Sequence, residues 1–297
     1  MTNPASYFSS ISDPHSVITA INSGYTFPEF MPHRIESYAE EISIFSRLIA
    51  ESSSSAELLE KIRTPRAFQA DLRMSLLKLF RRCVSTVCDT EATKKITKTP
   101  TSVFVDNFGY TFKDINVLKA QFSNLTHTDV ASLSALLGEY DNRGEQGYIL
   151  TDLFFTWIEE YFQGQLSIKG PRGAGSDVQL SSIFPEFKGD YPCDFVIQES
   201  ATTDVLAIGF ARYDSTRGGS QSDDRTGGNN DKVTKAQEFC AQYNKHFKLL
   251  FLADGPGLVH GDTWQETCNL DGAWNGNVRV TTLKTAPLRL TPDWLIS

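Results

Sequence analysis

The sequence predicts a mixed α/β fold, with a mixed β-sheet core flanked by helices and a mostly helical N-terminal region before it. Two observations support this class. Apolar residues recur at helical spacing through the first half of the chain, and the second half alternates strand-like and helical segments. At 297 residues the chain is long enough for one large domain or two modest ones. We expect a helical region over 1–98 and the sheet-containing core over 99–297, because the polar Lys/Thr segment at 90–101 is typical of a linker.

The N-terminal region is predicted to be helical from its periodicity. Spacings of three and four residues separate the apolar positions of the first helix and of the longer helix over 66–87. The apolar positions of the first helix are Ile35, Tyr38, Ile42, Phe45 and Ile49. A helix restarting at Ser55 and two short helices over 112–118 and 128–137 complete the region. The helix over 66–87 carries the most basic face of the chain, which is either a solvated surface or a contact for a DNA backbone. Its cations are Arg73, Lys78, Arg81 and Arg82.

The second half of the chain predicts a sheet with helices against it. Residues 149–162 are predicted to form a buried helix. Strands are expected over 193–198 and 205–211, joined by a hairpin-length connection, and a buried strand over 248–253 follows a helix over 232–243. Between them, residues 215–231 form a polar, Gly-rich segment that predicts a long loop.

Composition excludes several classes of protein. The formal net charge of −8 argues against a general nucleic-acid coat or a polybasic membrane binder, although it leaves room for DNA in one local basic groove. No apolar run is long enough for a transmembrane helix, and the first residues lack the pattern of a signal peptide. Five scattered cysteines are typical of reduced thiols, so we expect a cytoplasmic protein.

One constellation carries candidate chemistry. Hydrolysis of a phosphodiester by Mg²⁺ needs hard carboxylate ligands, and an Asp at a strand start can be joined by an acid and a Lys two residues apart on the next strand. Residues i and i+2 of a strand face the same side. Asp194 opens a strand after Tyr191-Pro-Cys, and one hairpin later the strand over 205–212 carries Gly209 and Ala211 at its middle.

At these residues the chain resembles the type II restriction endonucleases of the PD-(D/E)xK superfamily, and most nearly the subgroup with GATC-cutting members. The resemblance covers roughly residues 100–270. It is carried by Asp141-Asn-Arg-Gly-Glu145, by the two strands around Asp194 and Gly209, and by the apolar strand ending in Asp254-Gly-Pro-Gly. It implies a restriction-endonuclease-like core, Mg²⁺ as cofactor, double-stranded DNA as substrate and a homodimer that cuts both strands. A cytoplasm of bacterial type is implied with it.

The sequence departs from the family where the second acid and the lysine belong. Position 209 is Gly and position 211 is Ala. Glycine inside an apolar strand is locally unfavourable. Either Gly209 replaces a native glutamate in a catalytically inactive variant, or the site has migrated to Arg212 or Asp214. On this reading the metal ligands are Asp194, position 209 and Glu145, and the catalytic positions also include Ala211 and Arg212. Glu145 alternatively serves only as an acid at a helix start.

A DNA-recognition segment is expected at about 212–231, because its side chains offer the donors that read base edges. Arginine reads guanine, and asparagine or glutamine reads adenine. The candidates for DNA contacts are Arg212, Arg217, Gln221, Arg225, Asn229, Asn230, Lys232 and Lys235. A merely solvated loop is the alternative.

The expected function is sequence-specific cleavage of duplex DNA by a Mg²⁺-dependent endonuclease. The main alternative is a non-catalytic, sequence-specific DNA-binding protein on the same fold. Two others are a soluble interaction protein without a DNA role and a hydrolase of small phosphoesters.

Overall fold

The computed structural model describes residues 6–22, 26–139, 142–173, 175–215 and 222–296, with only the backbone described at 142–144 and 222–227. The chain forms two compact units, one spanning Gly24–Asn142 and the other combining Met1–Ser23 with Arg143–Ser297. This division differs from the predicted boundary at 98/99, since residues 99–142 belong to the helical unit.

Arg63 explains why the polar segment at 90–101 is not a linker. Its side chain is buried and donates hydrogen bonds to the carbonyl oxygens of Thr93 (2.8 Å) and Thr99 (2.6 Å) and to the hydroxyl of Thr101 (2.7 Å). The guanidinium also lies 4.7 Å from the centre of the Phe104 ring. A buried guanidinium needs such partners, so the segment is fixed against the helices of its unit.

The helical unit confirms the helices expected from periodicity. Its helices are α1 (Phe30–Glu51), α2 (Ser55–Arg63), α3 (Ala70–Cys83), α4 (Thr90–Thr93), α5 (Thr101–Phe108), α6 (Ile115–Phe122) and α7 (His127–Gly138). Apolar stripes of α1, α2 and α3 form one buried cluster, which includes Phe45, Leu58 and Phe80. On the basic face of α3, Arg81 and Arg82 form ion pairs with acids of the same unit.

The second unit contains the sheet. Its strands are β1 (Leu166–Lys169), β2 (Val178–Gln179), β3 (Pro192–Cys193), β4 (Phe195–Glu199), β5 (Val205–Tyr213), β6 (Lys248–Asp254) and β7 (Val278–Thr281). Its helices are α8 (Asn142–Tyr161), α9 (Leu180–Ile183), α10 (Ser222–Tyr243), α11 (Gly261–Leu270), α12 (Ala286–Arg289) and α13 (Pro292–Ile296). Among the described residues, β1, β4, β5, β6 and β7 form a five-stranded sheet in that order.

The sheet is mixed, which confirms the predicted mixed α/β class. β1, β4 and β5 pair antiparallel, whereas β5, β6 and β7 pair parallel. One face packs against α8 through Phe154, Phe155 and Phe195. The other face packs against α10 and α11, where Phe210, Phe239 and Cys268 share a cluster. Both faces are therefore covered, as the continuous apolar runs of β5 and β6 indicate.

The structure corrects the predicted loop over 215–231. Residues 216–221 lie outside the described part of the chain, but α10 already begins at Ser222, ten residues before the predicted helix start. Val233, Ala236, Phe239 and Cys240 anchor α10 on the sheet. Once a helix is nucleated by such packing, each further residue adds a hydrogen bond, so it extends through residues of low helix propensity such as Gly228.

Across the described residues, no helix has both the length and the apolar character needed to cross a membrane.

Candidate active site

Asp194 lies between β3 and β4 and is fixed to the neighbouring strand at both its backbone and its side chain. Its N–H donates to the carbonyl oxygen of Gly209 (2.9 Å), and its Oδ2 accepts from the N–H of Ala211 (2.8 Å). Burial raises the pKa of the Asp194 carboxyl above its ordinary value, and the nearby Asp177 carboxylate adds to the rise. The Ala211 N–H and the Lys232 ammonium oppose it. A half-buried carboxylate with a raised pKa is typical of functional sites.

The pairing register decides which residues share a face with Asp194. Phe195 pairs with Gly209 across the antiparallel hairpin, so Asp194 lies across from Phe210. By the two-residue period of a strand, Arg212 and Asp214 then follow on the side of Asp194. Gly209 and Ala211 face the other side, toward the cluster that contains Phe195.

Position 209 has no room for a carboxylate. A Cβ built at Gly209 would lie 1.9 Å from Cε2 of Phe195, far inside van der Waals contact. The Phe195 ring is fully buried against Phe154 and Phe155, with ring centres 5.3 and 5.8 Å away. The glycine is therefore explained by packing, since a ring covers it across the strand pair. This corrects the expectation that positions 209 and 211 supply a metal ligand and a charge beside Asp194.

Asp194 lines a cavity of about 280 Å³ between the sheet, α10 and α11. Besides Thr263 and Thr267, the polar side chains at its wall are three acids, two cations and one amide. These residues are Asp194, Asp214, Glu266, Arg212, Lys232 and Asn229. The cavity thus brings together five sequence-predicted residues, which are Asp194, Ala211, Arg212, Asn229 and Lys232, although the side chain of Ala211 packs on the other side of the strand. It also contains Asp214, which the sequence offered only as an alternative.

Lys232 is the cation best placed to meet a ligand. Its backbone is fixed because Tyr191 Oη donates to its carbonyl oxygen (2.9 Å), and its Nζ lies 3.9 Å from the centre of the Phe210 ring. Burial lowers the pKa of the Lys232 ammonium, while Asp194 and Asp177 counteract the shift. Within the described part of the chain, Nζ has no hydrogen bond or ion pair, so its three donors are available to a group in the cavity.

Arg212 and Asp214 form the second charged pair of the cavity. Nε and Nη2 of Arg212 donate to Oδ1 of Asp214 at 2.7 and 2.5 Å. Burial raises the pKa of the Asp214 carboxyl, and the guanidinium opposes that rise. The guanidinium thus fixes the direction of this buried carboxylate in the cavity.

The turn after β6 holds Asp214 in place. The N–H of Asp214 donates to the carbonyl oxygen of Asp254 (2.8 Å), and the N–H of Gly257 donates to the carbonyl oxygen of Asp214 (2.6 Å). Gly255 has φ +101°, and a Cβ there would lie 2.6 Å from the Asp214 carbonyl oxygen, so this position requires glycine.

The carboxylate of Asp254 has a structural role in this turn. It is fully buried and accepts from the N–H groups of Thr19 (2.6 Å), Gly255 (2.8 Å) and Leu283 (2.8 Å). Burial raises the pKa of Asp254, and these hydrogen bonds counteract the rise. The Asp-Gly-Pro-Gly motif thus fixes the backbone next to the cavity, and none of its side chains lines the cavity.

Glu145 is not brought to Asp194. It is exposed in the first turn of α8, on the helix that covers the opposite face of the sheet, and it is absent from the residues that line the cavity. Asp152, farther along α8, instead binds Arg172 (2.7 Å).

The remaining predicted DNA contacts divide into three groups. Arg217 and Gln221 lie outside the described residues, and the side chain of Arg225 is also not described. Lys235 is exposed and forms an ion pair with Asp231 (2.7 Å). Asn230 is exposed on α10, away from the cavity lining.

Two acids of the site were missed by sequence reasoning. Asp177 precedes β2 and is close enough to Asp194 and Lys232 to influence the pKa of both. Glu266 lies on α11 and accepts from Asn229 Nδ2 (3.0 Å). Neither belongs to a motif, and only Asp177, which follows the Gly-rich residues 173–176, has a sequence position that could have drawn attention to it.

The donor set restricts the kind of metal centre. In the described ranges no three His, Cys, Asp or Glu side chains converge as a metal-binding group. The expected trio of Asp194, position 209 and Glu145 does not form. Mg²⁺, however, often takes only one or two protein carboxylates and keeps several waters. Asp194, which lines the cavity, fits that smaller requirement as a single protein carboxylate.

Comparison with known proteins found no match to this chain among family models, curated proteins or solved structures.

Proposed function

We propose that this chain is a Mg²⁺-dependent, sequence-specific endonuclease of double-stranded DNA, built on a restriction-endonuclease-like core. The observation that carries the proposal is the shared cavity of Asp194, Asp214, Arg212 and Lys232 at the end of an antiparallel strand pair. The order of a hairpin, a helix and a parallel strand along the chain, which the sequence predicted, supports the proposal. The proposal includes a cytoplasmic protein that acts as a homodimer, with one site for each DNA strand.

The charged residues of the cavity would have different roles in phosphodiester hydrolysis. Asp194 would hold Mg²⁺, which when bound would activate water and neutralise charge on the phosphate. Lys232 provides an ammonium without an ion pair among the described residues, suited to stabilise charge on a phosphate oxygen. Arg212 already binds Asp214 through Nε and Nη2, so it orients that carboxylate.

The charges of the cavity are suited to binding one phosphate group at a specific position. They are not suited to attracting the DNA backbone in general. Its three acids face two cations, in a chain whose net charge is −8. Non-cognate DNA should therefore bind weakly and with a strong dependence on salt. Mg²⁺ lessens the repulsion between the carboxylates and the phosphate.

Cleavage of a random duplex pool and of plasmid DNA tests the proposal. The wild-type chain should produce fragments that end at one short sequence in Mg²⁺, and should bind that sequence without cutting it in Ca²⁺. Asp194→Asn should abolish cleavage, and Lys232→Ala should slow it by about 10²–10³-fold. Lys188→Ala is the control, because it removes an exposed lysine of the same unit that lies outside the cavity lining. Cleavage that persists in Asp194→Asn would refute the assignment.

A non-catalytic DNA-binding protein is the second candidate. Positions 209 and 211 carry no acid and no lysine, and the described residues contain no three-ligand metal group. This candidate predicts that one duplex sequence is selected with or without Mg²⁺ and that no divalent metal supports cleavage.

A further inference from the structure

The cavity at Asp194 extends past its charged groups into an apolar part between the sheet and α11. Five buried side chains line that part. They are Phe210, Phe251, Leu258, Leu270 and Val280. The rings of Phe210 and Phe251 are stacked, with centres 5.1 Å apart. Hydrolysis of a phosphate needs no such wall, whereas a planar organic group would be desolvated by it.

The volume limits what this part can hold. At about 280 Å³ the cavity is near the lower end of the range for small-molecule sites. One nucleotide fits that size, whereas a base pair does not.

The amide and acid at the wall present hydrogen-bond acceptors. Asn229 Nδ2 donates to Glu266 Oε1 (3.0 Å), which fixes both side chains relative to each other. The Oδ1 of Asn229 and the Oε2 of Glu266 make no hydrogen bond to other described residues. Two acceptors side by side match a group with two N–H donors. The exocyclic amine of adenine, cytosine or guanine is such a group, and thymine has none.

Lys232 completes the arrangement. It lies on the same wall, with its Nζ over the face of Phe210, so its ammonium borders both the charged and the apolar parts of the cavity. A phosphate on Lys232 would leave the attached sugar and base to occupy the apolar part.

We propose that this cavity is a binding subsite for one nucleotide whose base carries an exocyclic amine, with its phosphate on Lys232 and its amine on Asn229 and Glu266. The inference rests on the proposed function, because in a duplex substrate this nucleotide must leave the base stack to enter the cavity. It deepens that function, since the subsite would contribute to the choice of sequence. Free nucleotides test the subsite without requiring DNA.

The experiment titrates the full chain, without metal, with dAMP, dCMP, dTMP and deoxyadenosine, followed by calorimetry and ligand-observed NMR. We expect dAMP or dCMP to bind about tenfold more tightly than dTMP, because dTMP leaves the two acceptors unpaired. Lys232→Ala should reduce dAMP affinity to that of deoxyadenosine, whereas the Lys188→Ala control, at an exposed lysine outside the cavity lining, should retain wild-type affinity.

Glu266→Gln tests the base contact, because the amide replaces an acceptor oxygen with a donor. It should remove the preference over dTMP, and Asn229→Ala should act in the same direction, with circular dichroism confirming that each variant is folded. Equal affinity for dTMP, an unchanged preference in both variants, or no binding of any monophosphate overturns the subsite.

The two proposals fail in different ways. If duplex DNA is cleaved but no nucleotide binds, the endonuclease stands and the subsite falls. If nucleotides bind in the expected order but no DNA is cleaved, the subsite stands and the endonuclease falls.

Discussion

Adding a side chain at Gly209 tests the packing on which the location of the site depends. In Gly209→Ala the new Cβ would lie 1.9 Å from Phe195 Cε2, whereas carbon atoms in contact are about 3.5 Å apart. The ring would have to move by about 1.6 Å, but Phe154 and Phe155 enclose it in a fully buried cluster.

The expected magnitude follows from two opposing effects. Overpacking of a core costs about 1–3 kcal/mol, and replacing Gly by Ala in a strand returns about 0.5–1 kcal/mol. Because the clash is with a fully buried ring, the upper overpacking cost applies, and Gly209→Ala should lower the free energy of unfolding by about 2–2.5 kcal/mol. Gly209→Glu should cost several kcal/mol more, because it also buries a carboxylate.

Urea unfolding followed by tryptophan fluorescence measures this change. All four tryptophans (Trp157, Trp264, Trp274 and Trp294) belong to the unit that contains the sheet, so the signal reports on that unit. In Gly209→Ala/Phe195→Leu the smaller side chain makes room, so the double variant should lose less stability than the sum of the single variants.

Two results would refute this reasoning. One is a Gly209→Ala variant within 0.5 kcal/mol of wild type (the usual range for a surface substitution) with additive behaviour in the double variant. The other is a stable Gly209→Glu variant that gains Mg²⁺-dependent cleavage, since that would establish position 209 as the place of a catalytic acid.

Three further predictions concern the frame of the sheet unit. Asp271→Asn should lower the free energy of unfolding by about 3–5 kcal/mol in urea, because Asp271 is fully buried and binds the Arg289 guanidinium; a loss below 1 kcal/mol would contradict this. Gly255→Ala should destabilise the fold and reduce any cleavage together, because its Cβ would displace the Asp214 carbonyl; unchanged thermal unfolding would contradict it. Burial raises the pKa of Cys193 from 9.0 to about 12. At pH 8 its thiolate fraction should therefore be about a thousandfold below that of an ordinary thiol. The rate of alkylation by iodoacetamide should rise tenfold per pH unit up to that pKa. Labelling as fast as in urea would contradict the last prediction.

The local elements were largely predictable from the sequence. Periodicity found α1, α2 and α3, because each helix buries one stripe of its own residues. Apolar runs bounded by turn residues likewise found β4, β5 and β6. The sequence also placed Asp194 at the start of a strand, beside the hairpin that the structure contains.

The helical boundary and the start of α10 could not be found in this way. Arg63 fixes the polar segment at 90–101 through contacts 30 to 38 residues away in the chain, which composition does not record. Packing on the sheet also extends α10 through residues that favour a turn, because tertiary contacts outweigh weak local propensities.

The sequence by itself determined the mixed α/β class, the strand pair and Asp194 as the leading candidate of the site. Only the tertiary structure decided which side chains share its cavity. A one-residue change of register exchanges the two faces of a strand, so the side chains on the same face as Asp194 are those of Arg212 and Asp214 instead of those at positions 209 and 211. The contributions of Lys232, Asn229 and Glu266 come from helices that meet over the sheet, and contacts of that kind are properties of packing between distant segments.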